Sequence, residues 1–141
     1  MAHAEGTVTI DRPAGLVYDF LSNGLNNPLW RPTVTDIALL PGKTSAYKQG
    51  LKGPTGRIDG DYEIVESKKD ELIRFQVVAG PARPTGTYRL EALGESTRLT
   101  FILDFEPKGL ARLMDPLIAA SMRSEVALLA NLKTYLESQP R

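Results

Sequence analysis

The sequence contains no cysteine and only one histidine. The first absence excludes disulfides, zinc–thiolate centres and thiol nucleophiles. The second excludes Ser-His-Asp and Cys-His machinery and multi-histidine metal sites, because His3 stands next to a chain end expected to be frayed and solvated. No sign of charge prevails: 17 Lys and Arg face 17 Asp and Glu, for a formal net charge of zero, and like charges form no block. A nucleic-acid surface would concentrate positive charge on one face, so no nucleic-acid partner is expected. No apolar run approaches the ~20 residues that cross a bilayer, so stable membrane insertion is not expected. The opening residues show no basic segment followed by an apolar one, which makes the cytoplasm the expected location. Nothing in the composition calls for a cofactor or a metal.

What is present suits a single domain over residues 1–141, with 42% hydrophobic and 24% charged residues, enough for a real core. Residues 4–11 alternate, Val8 and Ile10 against Thr7, Thr9 and Asp11, as a half-buried strand does. Pro13 suits the first turn of a helix, where its missing N–H costs nothing, and Leu16, Val17, Phe20 and Leu21 follow at helical spacing. The turn-rich stretch 26–32 admits one helical turn before Pro28. Strands are predicted over 34–40, 46–51, 57–66, 72–78, 87–93 and 98–106, separated by Gly, Pro and charged turns. The clearest alternation sets Leu99, Phe101, Leu103 and Phe105 against Arg98, Thr100, Asp104 and Glu106. Hairpin spacing makes neighbours antiparallel.

After residues 107–109 the period becomes helical. Residues 110–114 read as a lead-in turn, with Asp115 as N-cap and Pro116 at the first helical position. One continuous helix kinked at the proline fits equally. Either way the helix reaches about Glu137 and spans ~30 Å. The order implies an α+β fold: a curved antiparallel sheet of about seven strands, one or two short helices after the first strand, and a long C-terminal helix on one face.

On that helix Met114, Leu117, Ile118, Met122, Leu128, Leu129, Leu132 and Leu136 form an apolar stripe, opposite Arg112, Arg123, Lys133 and Glu137, which should be solvated. Ser121 and Glu125 interrupt the stripe. A carboxylate there must be neutralised, paired or wetted. Either Glu125 reaches an arginine across the core or lies at the rim, or it faces a wet cavity with Ser121 and touches a ligand. Trp30, Tyr47, Tyr62, Phe75, Tyr88 and Phe101 are candidates for the concave side of the sheet, where tyrosines offer an apolar body and one hydroxyl each to an amphipathic ligand. Plain core packing is the alternative for each. Met114 and Met122 are adaptable fillers for a pocket wall. The candidate ligand-binding set is therefore these six aromatics with Met114, Ile118, Ser121, Met122 and Glu125. Other stretches carry less: residues 53–56 are too short for a phosphate loop, Arg83 reads as a solvated loop arginine rather than a cap on the cavity mouth, and Asp59 and Asp61 read as solvated or arginine-paired rather than as a cation site.

Several phrases resemble the START/Bet v 1-like superfamily of polyketide cyclases and lipid-transfer proteins. They are Val8-Thr9-Ile10-Asp11-Arg12-Pro13 leading to Val17-Tyr18-Asp19-Phe20-Leu21, then Asn27-Pro28-Leu29-Trp30-Arg31-Pro32, and the closing Asn131-Leu132-Lys133-Thr134-Tyr135-Leu136-Glu137. The resemblance covers nearly the whole chain. It implies a helix-grip fold with a deep hydrophobic cavity between sheet and C-terminal helix, and it carries over no catalytic residue. The leading expectation is a binder or carrier of a small hydrophobic or amphipathic ligand, such as a lipid, isoprenoid or polyketide, acting as a monomer or homodimer. One alternative is a cyclase, dehydratase or hydrolase using Glu125, Arg57, Asp59 or tyrosines as acid–base groups. Another is a protein-interaction module presenting apolar surface at an open cavity mouth.

Overall fold

The computed structural model describes residues 2–53, 55–80, 83–106 and 115–140. Its elements, in chain order, are β1 (Ala2–Ile10), α1 (Ala14–Ser22), a 3-10 helix (Gly24–Leu29), β2 (Val34–Leu39), β3 (Ala46–Gly53), β4 (Gly56–Asp59), β5 (Tyr62–Lys68), β6 (Leu72–Val77), β7 (Thr85–Leu93), β8 (Ser96–Phe105), α2 (Asp115–Ala127) and α3 (Leu129–Ser138). One antiparallel sheet runs β1-β8-β7-β6-β5-β3-β2, with β4 paired on β3. This is the helix-grip arrangement: a curled sheet closed over the C-terminal helical segment.

The alternation read in β8 sets the register. Leu99, Phe101 and Leu103 are buried, and each faces an inward residue of β7: Leu90, Tyr88 and Gly86 respectively. On the other side β1 pairs along its whole length with β8, from Ala2 opposite Phe105 to Ile10 opposite Thr97. β1 thus begins earlier than its polarity pattern suggests. His3 is exposed but not frayed: its Nδ1 lies 2.5 Å from the Asp104 carboxylate, which holds the imidazole pKa above its usual value.

Four other boundaries depart from the sequence reading. Pro13 occupies the cap position before α1 instead of its first turn, and its carbonyl accepts from Leu16 and Val17. The turn before Pro28 is a six-residue 3-10 helix that includes the proline. The strand expected over 57–66 is interrupted after Asp59. There the Asp61 carboxylate accepts from the Gln49 amide at 3.1 Å, a side chain replacing a ladder carbonyl, while register is kept on both sides, with Gly50 opposite Asp59 and Tyr47 opposite Tyr62. The C-terminal helix breaks at Leu128 into α2 and α3. The lead-in over residues 110–114, with Arg112 and Met114, lies outside the described residues.

The buried stripe of α2 and α3 is Met122, Val126, Leu129, Leu132 and Leu136. Val126 was absent from the sequence-derived stripe, and Leu117 is two-thirds exposed. α2 approaches β1 closely because Gly6 has no side chain: a Cβ there would stand 2.5 Å from Val126 Cγ1. The far end of the helical segment is bolted to the β1–α1 junction. Lys133 Nζ donates to the Thr9 carbonyl at 2.6 Å, and the Asp11 amide donates to Glu137 Oε2 at 2.8 Å, so these two helix residues are engaged rather than simply solvated.

Arg12, buried, completes the attachment. Its Nη2 donates to the carbonyls of Glu137 and Gln139 at 2.6 and 2.7 Å, placing a cation against the unsatisfied carbonyls at the end of α3. Arg12→Ala should lower unfolding stability by about 2–3 kcal/mol, from hydrogen bonds to a charged group and lost stem packing. Arg12→Lys should recover part of it. Urea denaturation of the three proteins measures this, and equal stability of Arg12→Ala and the parent would contradict the clamp.

Candidate functional site

The concave face of the sheet carries a continuous row of rings, because inward positions on successive strands are aromatic. Tyr47 (β3) stacks on Tyr62 (β5) at 5.2 Å between centroids, Tyr62 meets Phe75 (β6) edge-on at 5.3 Å, and Tyr88 (β7) stacks on Phe101 (β8) at 4.5 Å. Phe75 touches both Tyr88 and Phe101, and Trp30 abuts Tyr88 from the loop after the 3-10 helix. All six are buried.

Between this face and α2 lies a cavity of about 160 Å³. Phe75 and Val77 of β6 and Phe101 and Leu103 of β8 form its floor. Gln49, Leu51, Ile58, Asp59 and Gly60, from the β3–β4 hairpin and the turn after it, form one wall. Ile118, Ser121, Met122 and Glu125 of α2 form the roof, and Arg31 closes the side. Of the sequence-derived candidates, Phe75, Phe101, Ile118, Ser121, Met122 and Glu125 therefore come together around one space. Tyr62 and Tyr88 border a separate inner void of only about 10 Å³, with Asn27, Arg31 and Phe75. Trp30 and Tyr47 line neither space, and Met114 lies outside the described residues. A larger concavity of about 400 Å³ runs between β1 and the α2–α3 junction, but it is a solvent-open groove on the sheet edge.

Glu125 does reach an arginine across the core. It lines the cavity, and its Oε2 accepts from Arg31 Nη2 at 3.0 Å and Nε at 3.2 Å. The side chains are 9% and 19% exposed for Arg31 and Glu125, so the pair is nearly withdrawn from water. The pairing carboxylate satisfies Arg31 where an unpaired charge would be costly. It also ties α2 to the loop after the 3-10 helix.

Gln49 anchors a second polar group in the wall. Asn27 Nδ2 donates to Gln49 Oε1 at 3.0 Å and to the Tyr62 hydroxyl at 2.9 Å, while Gln49 Nε2 donates to the Gly60 carbonyl at 3.3 Å. Burial pushes the Tyr62 hydroxyl pKa up to about 12 against the Asn27 hydrogen bond, which works the other way. Burial also raises that of Tyr88, with Arg31 opposing. These tyrosines are neutral interior groups at ordinary pH. Arg57 faces the outside, on Asp36 at 2.8 Å and Asp59 at 2.7 Å, so it is not a cavity group. Asp61 is spent on the Gln49 amide, and Arg83 is an exposed loop residue donating to the Gly80 carbonyl.

Sequence reasoning missed the polar lining residues Arg31 and Gln49, and with them the apolar Leu51, Ile58, Val77 and Leu103. Gln49 was within reach: it shares the period-2 face of Tyr47 and Leu51, and a polar residue on an inward face needs a partner. Arg31 gave a weaker sign, a charge held between Trp30 and Pro32.

No curated protein sequence matches the chain. Solved structures do. A START superfamily protein from Mycobacterium smegmatis superposes with a TM-score of 0.77 at 18% identity, covering 97% of this chain and 95% of that one. The Zhui aromatase/cyclase from Streptomyces sp. R1128 gives 0.72 at 18%, covering 94% and 92%. The di-domain ARO/CYC protein BexL of the BE-7585A biosynthetic pathway gives 0.72 at 21%, with 99% of this chain matched to 48% of that one. At such identities the likeness establishes the fold. The sequence itself goes further: the family model for polyketide cyclase / dehydrase and lipid transport proteins matches residues 1–137, and the chain belongs to that family.

Proposed function

We propose that the protein binds, and carries, a small hydrophobic or amphipathic molecule in the cavity between sheet and α2, whether lipid, isoprenoid or polyketide-like. The observation that carries this reading is the cavity itself, apolar on its floor and on half of its roof, with a charge pair at one side. Ligand pockets commonly enclose ~300–1,000 Å³, whereas an engineered apolar cavity of ~150 Å³ holds benzene. The space therefore suits a single ring, a short chain, or one end of a longer molecule.

Calorimetric titration with 1-octanol should give saturable one-to-one binding. Ser121→Trp, which inserts an indole from the exposed shoulder of α2 into the cavity, should weaken it by about ten-fold or more with unchanged far-UV circular dichroism. Equal affinity in both proteins would place the ligand elsewhere. A second reading, a cyclase or dehydratase acting on such a ligand, draws on the likeness to aromatase/cyclases and on Glu125 beside the ligand space. Mass spectrometry of a bound hydroxyketone separates the two: recovery unchanged favours carriage, and loss of water favours chemistry.

A further inference from the structure

Resting on that binding reading, we infer that the cavity selects an uncharged head group carrying both a hydrogen-bond donor and an acceptor, an alcohol or a carboxamide, and discriminates against ionised ligands. The selecting element is the Arg31–Glu125 pair. Both Arg31 bonds, from Nε and Nη2, go to one oxygen, Oε2. Among the described residues Arg31 Nη1 donates to nothing and Glu125 Oε1 accepts nothing, so the two cavity-lining residues keep one unspent donor and one unspent acceptor. A hydroxyl or an amide, each both donor and acceptor, can bond to either one without disturbing the pair.

An ion cannot. A carboxylate or phosphate at Arg31 Nη1 adds a second anion to a guanidinium that Glu125 already neutralises, and one that displaces Glu125 leaves a nearly buried charge without its partner. An ammonium on Glu125 meets the same obstacle from Arg31. The remaining lining charges add no net bias: Lys52 and Asp59 are of opposite sign and exposed, where water and salt screen them, and Asp59 already holds Arg57.

The test compares five ligands of one chain length near neutral pH by calorimetry: 1-octanol, octanamide, octanoate, octylammonium and 1-chlorooctane. The alcohol and the amide should bind at least about ten-fold more tightly than either ion, and also more tightly than 1-chlorooctane, whose greater apolarity would otherwise favour it. Glu125→Gln, which frees Arg31 from its carboxylate, should raise the affinity for octanoate relative to 1-octanol. Octanoate or octylammonium binding as well as 1-octanol, or 1-chlorooctane matching it, would overturn the head-group inference while leaving the cavity reading intact. Failure of all five to bind would remove both.

Discussion

Arg31→Met should cost the fold about 2–3 kcal/mol, measured by urea denaturation, even though it replaces a charged residue by an apolar one of similar length. The reason is the residue left behind. Removing one partner of a buried ion pair typically costs ~3–5 kcal/mol, because the other charge stays buried without compensation. Glu125 keeps 19% of its side-chain exposure, so its orphaned carboxylate can be partly hydrated, and the lower figure applies. Glu125→Leu should be destabilising for the mirror-image reason. The double variant, Arg31→Met with Glu125→Leu, should recover most of the loss, since well-packed apolar replacements of buried pairs are often neutral. Losses that simply add in the double variant would show that the two side chains do not act on each other.

Gly86→Ala is expected to be about as damaging, roughly 2–3 kcal/mol, although it adds a single methyl group. Gly86 stands opposite Phe75 in the β6–β7 register, and a Cβ there would overlap the Phe75 ring. Tyr62, Tyr88 and Phe101 flank that ring at centroid distances of 5.3, 5.8 and 6.3 Å, so it can yield only toward the cavity. Because Phe75 is also cavity floor, the substitution should weaken 1-octanol binding together with stability. Phe75→Leu in the Gly86→Ala background should relieve the overlap, making the pair less destabilised than the sum of the single changes. Full additivity in denaturant midpoints would mean that Gly86 is required for some other reason.

Much of this architecture was legible beforehand because it follows from periodicity. Leu99, Phe101 and Leu103 could only share a face, and the inward parity of Tyr62, Phe75 and Tyr88 put their rings on one side of the sheet. Ile118 and Met122 repeat at helical spacing, which turns both toward that face. The hidden parts depend on partners far apart in the chain. Glu125 announced a need for compensation, but the arginine that supplies it lies 94 positions away in a segment without periodicity. Arg12 is similar, since its helix-end carbonyls belong to residues more than a hundred positions later. The strand interruption after Asp59 came from a side chain replacing a main-chain acceptor, which leaves no trace in the polarity pattern. The missed Val126 is a plainer case: it sits four residues beyond Met122 on the buried stripe, facing Gly6.

The most direct trial of the binding cavity is amide chemical-shift mapping of the native protein during titration with 1-octanol. Saturable shifts should concentrate at Gln49, Gly60, Phe75, Phe101, Ile118 and Ser121 through Glu125, the residues around the space between sheet and α2. Shifts confined to Ala4–Val8 with Val126 and Ala130, along the outer groove, or spread over the surface without saturation, would contradict an interior site.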